Sequence, residues 1–103
     1  MDKNEALNKT KDFAMLIRDK FNPLKVFLFG SYANNNYNEN SDIDIAVVVS
    51  GLNGDYLANL NQLYKLRKQI DISIEPVLFI EGKDPSGLLE YIEKNGELAY
   101  SSI

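Results

Sequence analysis

The amino-acid sequence predicts an α/β (α+β) fold: a small sheet of three to four strands flanked by helices. Three observations predict it. Short runs of β-forming residues, KVFLF, DIDIAVVV and IDISIEPVLFI, alternate with segments whose apolar residues recur at helical spacing. Helix start and stop signals fall between these runs. The 103 residues, 45% of them hydrophobic, suffice for one core, so residues 1–103 are expected to form a single domain.

The elements follow in order. Asn4 to Phe21 is expected to be a helix, because Leu7, Phe13, Ala14, Ile17 and Phe21 share a stripe. Asn22-Pro23 ends it, since the residue before proline resists helical backbone. Lys25 to Phe29 is a short strand, broken by Gly30. Ser31 to about Asn35 fits one or two helical turns. Asn34 to Asn40 is a loop, because asparagine tolerates left-handed backbone. Asp42 to Val49 is a strand whose unbroken IAVVV run implies burial on both faces.

Ser50 to Gly54 is a turn. Asp55 is the expected N-cap of a helix reaching about Lys68, packed through Leu57, Leu60, Leu63, Tyr64 and Arg67. Ile70 to Ile80 is the third strand, and Pro76 inside it points to a sheet edge. Asp84-Pro85 has the form of an N-cap followed by proline at the first helical position, with the helix running to about Lys94. Asn95-Gly96 stops it. The tail ELAYSSI is a fourth short strand or a docked end.

Composition removes several function classes. The formal charge is −4 with a pI near 4.7, a poor basis for general binding to nucleic-acid phosphates. No apolar run is long enough to span a bilayer. The polar, acid-bearing start is not a signal peptide, and a cytoplasmic location is expected. Cysteine and histidine are both absent, so thiolate and imidazole metal sites and histidine base catalysis are excluded. Oxygen ligands and hard cations such as Mg²⁺ remain.

The chemistry concentrates in FGSYANNNYNENSDIDIAVVV. Side chains alternate across a strand, so Asp42 and Asp44 share a face at its open end. Like charges that close repel, and a divalent cation would turn the repulsion into coordination. Gly30-Ser31 follows the preceding strand. Glycine permits close backbone approach, and free N–H groups with the Ser31 hydroxyl suit a phosphate. Metal, position and charge neutralisation are what phosphoryl transfer requires. The third strand offers Asp71 and Glu75 as a further acid, to ligate metal and accept a proton; Asp71, nearer the strand's start, also reads as a plain turn residue.

Phe29-Gly30-Ser31, ten intervening residues, then Asp42-Ile43-Asp44 resemble the signature of the minimal nucleotidyltransferases (MNT) of the polymerase-beta superfamily. The resemblance covers most of the chain. It implies a small mixed sheet of nucleotidyltransferase type. It implies Mg²⁺, or Mn²⁺, at Asp42 and Asp44, and nucleotide phosphates at Gly30 and Ser31. It implies AMP transfer from ATP to a hydroxyl. The segment Ile74-Glu75-Pro76 looks like the family's third acid, which favours Glu75 as metal ligand and catalytic carboxylate over Asp71. Members of this size are often antitoxins that modify a helical HEPN toxin protein, so such a partner, in a homo- or hetero-oligomer, is implied as well. Most members carry an arginine after Gly-Ser. Here Tyr32, Asn34 and Asn35 stand in that stretch, leaving Lys25, Arg67 or Lys68 as cations for the triphosphate. The same fold also admits a second expectation, a weakly active or inactive protein that neutralises its partner by binding.

Overall fold

The computed structural model describes residues 1–103. The chain runs α1 (Lys3–Phe21), β1 (Lys25–Phe29), β2 (Ile43–Val49), α2 (Tyr56–Leu66), a 3-10 turn (Arg67–Gln69), β3 (Ile74–Ile80), α3 (Leu88–Asn95) and β4 (Glu97–Ser101). The strands form one mixed sheet in the order β3-β2-β1-β4. β1 is antiparallel to both β2 and β4, and β2 is parallel to β3. The expected α+β class and mixed sheet are therefore present, and the tail is a real fourth strand.

Each element has a local cause. Asp2 caps α1 by accepting from the Glu5 N–H, and Asn22 closes it in the left-handed region at φ 46°. Asp55 caps α2, accepting from the N–H groups of Leu57 and Ala58. β2 is the central element. Ile45 to Val49 are all buried, as a strand covered on both faces must be. On one face Ile43, Ile45 and Val47 pack with Phe13, Ile17, Leu28, Leu63 and Ile74 beneath α1 and α2. On the other, Ala46 and Val48 pack with Phe27, Phe79, Leu89 and Ile92 beneath α3.

Several expected boundaries move. β3 begins at Ile74 rather than Ile70. Asp71 turns back instead, accepting from the Ser73 N–H and Oγ at 2.8 and 2.7 Å, so Asp71 and Ser73 lie outside the strand. α3 begins at Leu88 behind Gly87, which sits at φ 75°. Asp84 still caps it from farther back, accepting from the Leu89 N–H at 2.7 Å. Leu57 is 61% exposed, not packed. Residues 31–35 form hydrogen-bonded turns rather than a regular helix, with one helical bond from the Asn34 N–H to the Gly30 carbonyl. β3 is an edge strand, in keeping with Pro76, and two of its carbonyls are covered by side chains: Arg67 donates to Ile74 O and Tyr56 to Leu78 O. No helix is long and apolar enough to cross a membrane.

Candidate active site

The start of β2 gathers most of the residues singled out in the sequence. Asp44 stands opposite Phe29 of β1 on one side and beside Glu75 of β3 on the other. Asp42 lies just before the strand and is exposed, whereas Asp44 and Glu75 are half-buried. Asp71, the competing third acid, is committed elsewhere. It pairs with Lys9 of α1 at 2.6 Å and closes its own turn through Ser73. These contacts hold its carboxyl down at about 2, the Lys9 hydrogen bond contributing most. Of the two candidates, Glu75 is the one that lies beside Asp44, across the parallel register of β2 and β3.

Gly30 has a role that the sequence did not disclose. A Cβ there would lie 2.2 Å from Asp44 Oδ2, and the backbone adopts φ 76°. The close approach that glycine permits is to the Asp44 carboxylate itself. The residues after it build the loop. Tyr32 is buried and stacks on Tyr37 with ring centroids 4.7 Å apart, so both tyrosines hold the asparagine loop to the core. Asn35 takes the left-handed conformation at φ 61°. The N–H groups of Ser31, Tyr32 and Ala33, the three residues after Gly30, have no acceptor within the chain.

The electrostatics are one-sided. None of the six ion pairs of the chain includes Asp42, Asp44 or Glu75. Burial pushes the Asp44 carboxyl up to about 6, and the charges of Asp42 and Glu75 push the same way. The sequence places no Lys or Arg between Lys25 and Lys65. Of the cations considered for a triphosphate, Lys25 lies at the opposite end of β1, paired with Glu93 at 3.8 Å. Lys68 is exposed. Only Arg67 borders the carboxylates, its guanidinium 4.8 Å over the ring of Tyr64, whose hydroxyl donates to Glu75 Oε2 at 2.7 Å. That bond, with burial and the Glu75 charge, raises the Tyr64 pKa and keeps the phenol a donor.

This donor set suits a hard cation: all oxygen, several negative charges, no internal counter-ion. No three acids of the chain stand close enough together to enclose an ion by themselves. Mg²⁺ seldom needs such a cage, since it is commonly held by one or two carboxylates plus substrate phosphates. The largest surface recess, about 350 Å³, is lined by Lys20, Asn22, Ser50, Gly51 and Asn53 among others, beyond the far end of β2. It is remote from the acids, which face an open surface rather than a closed cavity. Tyr64 is the one neighbour that sequence reading assigned only to packing.

Comparison with known proteins agrees with this geometry. Residues 11–102 match the family model described as Polymerase beta, Nucleotidyltransferase. Over 73 residues the chain is 32% identical to a candidate protein adenylyltransferase of Methanocaldococcus jannaschii, MJ0141, covering 67% of this chain and 70% of that protein. A solved structure of a candidate nucleotidyltransferase from Sulfolobus solfataricus shares the fold with a TM-score of 0.68 at 22% identity, covering 97% of this chain and 84% of that one. A toxin–antitoxin crystallised with AMP-PNP superposes with a TM-score of 0.69 at 27% identity, covering 92% of this chain and 74% of that one.

Proposed function

This chain belongs to the polymerase beta nucleotidyltransferase family, and we propose that, as such a nucleotidyltransferase, it moves AMP from ATP to a hydroxyl of a partner protein. The oxygen of the acceptor forms a bond to the α-phosphorus. The bond from that phosphorus to the oxygen bridging to the β-phosphate breaks, and pyrophosphate leaves. Asp42 and Asp44 would hold Mg²⁺ or Mn²⁺, which when bound would neutralise charge on the triphosphate. The N–H groups after Gly30, with the Ser31 hydroxyl, bind phosphate oxygens. Glu75 would add a further oxygen ligand beside Asp44 and take the proton of the attacking hydroxyl. The acceptor is a toxin partner, for which the HEPN type follows from the sequence resemblance alone; adenylyl transfer and a toxin partner are supported by the adenylyltransferase named in M. jannaschii and by the toxin–antitoxin neighbour.

The observation that carries this reading is a set of carboxylates none of which is ion-paired with a cation of the chain. A strand end that concentrates Asp42, Asp44 and Glu75, and shapes Gly30 around one of them, is costly unless an external cation is part of the working state. Incubation with ATP labelled at the α-phosphate, Mg²⁺ and the partner tests it. Label should appear on the partner with wild type and not with Asp42→Asn or Asp44→Asn.

A second reading is favoured by one specific observation, the stretch from Lys25 to Lys65 without a basic residue. The protein would then neutralise its toxin by binding, with little catalysis. A rescue assay in cells separates the two. Equal protection by the Asp42→Asn, Asp44→Asn double variant would favour binding.

A further inference from the structure

Tyr64 projects from α2 around the edge of the sheet to reach Glu75, and two further contacts hold it there. Its hydroxyl donates to Glu75 Oε2 at 2.7 Å, the only hydrogen bond that Glu75 makes through its side chain. The guanidinium of Arg67 lies 4.8 Å over the Tyr64 ring. The same guanidinium donates through Nη1 to the carbonyl of Ile74, the residue before Glu75, at 2.9 Å. One planar cation therefore fastens both ends of the Tyr64–Glu75 bond, the ring on one side and the strand backbone on the other. Its Nε is buried and has no hydrogen-bond partner in the chain.

We propose that Tyr64 is a positioning residue for the transfer reaction, fixing Glu75 by occupying Oε2 so that Oε1 is the oxygen offered to the metal-bearing acid pair, with Arg67 as its anchor. The inference rests on the role proposed for Glu75. A free glutamate beside Asp44 would swing away from a like charge. The Tyr64 hydroxyl removes that freedom, and a carboxylate held by an outer hydrogen bond is ready to ligate. Lysine could not replace Arg67 here, because the stack and the carbonyl bond both need a planar, forked cation.

Tyr64→Phe keeps the ring, the stack and the helix and deletes only the hydroxyl. Mn²⁺ binding, measured by electron paramagnetic resonance in the presence of a non-hydrolysable ATP analogue, should weaken by about 10–100-fold. Transfer should fall through kcat with the KM for the acceptor unchanged. Arg67→Lys should give a smaller loss in the same two quantities. Glu75→Gln distinguishes the levels of the argument. If Glu75→Gln weakens Mn²⁺ binding while Tyr64→Phe binds as wild type does, Tyr64 does not position Glu75. If neither variant changes Mn²⁺ binding, the Glu75 assignment fails and the role of Tyr64 fails with it. A loss in Tyr64→Phe with none in Glu75→Gln would also overturn the inference, since Tyr64 would then act by another route.

Discussion

Asp44 and Asp71 are the same side chain in opposite circumstances, near the same end of the sheet. Asp71 has its needs met within the chain: Lys9 at 2.6 Å, the Ser73 N–H and the Ser73 hydroxyl. Its carboxyl is held at about 2. Asp44 has no cation, is partly desolvated between three strands and faces two other acids, and its carboxyl rises to about 6. The first arrangement stabilises the fold. The second destabilises it, and is intelligible only if something from outside completes it. The contrast separates an acid that stabilises the fold from the acid proposed to bind a cation.

The comparison can be broken most severely at the functional acid. Asp44→Asn should lower AMP transfer at least ~100-fold, because a metal ion contributes several kcal/mol to such reactions and each tenfold in rate is about 1.4 kcal/mol. Asp71→Asn should leave the rate per folded molecule within about twofold, since small shifts away from the reacting groups carry little of that stabilisation. Gly30→Ala should resemble the first. The added methyl would meet Asp44 Oδ2 at 2.2 Å and stand at φ 76°, so Asp44 must move. A loss of about 1–3 kcal/mol in stability is expected from the backbone strain alone, accompanied by loss of transfer.

Stability should respond in opposite directions at the two aspartates. In the metal-free protein Asp44→Asn should stabilise by ~1–2 kcal/mol at pH 7.5, a value discounted for partial exposure. Asp71→Asn should destabilise by ~1–2 kcal/mol, through loss of the Lys9 pair and weakening of the Ser73 turn. Urea midpoints of the three proteins check both signs.

The pH dependence sharpens the same contrast. Asp44 is raised in the folded state, so its penalty is complete above about pH 6 and absent below its unfolded value near 3.8. The gain from Asp44→Asn should therefore vanish as pH falls from 6 to 4. Asp71 is lowered, so its contribution is complete above about 3.8 and is lost as pH falls through about 2. Metal-free wild type should thus lose Asp44-linked stability on the way up from pH 4 and Asp71-linked stability on the way down from it. Thermal melts across pH 2 to 8, with and without each substitution, measure these slopes.

The two aspartates were not equally legible in the sequence. Asp42 and Asp44 announce themselves by local pattern: a charge pair two residues apart at the mouth of IAVVV, with Gly-Ser ten residues upstream. Asp71 falls within the run that reads as the third strand, on the face of Glu75, and its alternative reading as a turn residue is the one the structure shows. Its true state depends on Lys9, 62 positions away, and on a side-chain turn that delays β3 to Ile74. Gly30 was recognised as a point of close approach, but the group approached lies on the neighbouring strand and depends on the antiparallel register of β1 and β2. Tyr64 was read as part of a packed stripe. Its hydroxyl reaches Glu75 only because α2 crosses beside the edge strand, and nothing in local spacing encodes that. Cap residues were half-legible: Asp55 acts where expected, while Asp84 caps a helix that begins behind Gly87.

Divalent-cation binding by the uncompensated Asp42 and Asp44 underlies the proposed AMP transfer. It is tested most directly with ATP labelled at the α-phosphate, Mg²⁺ and the partner protein, comparing wild type with Asp44→Asn and Asp71→Asn. The account predicts label on the partner with wild type and with Asp71→Asn, and none with Asp44→Asn or when the cation is chelated. Equal labelling by wild type and Asp44→Asn would contradict it.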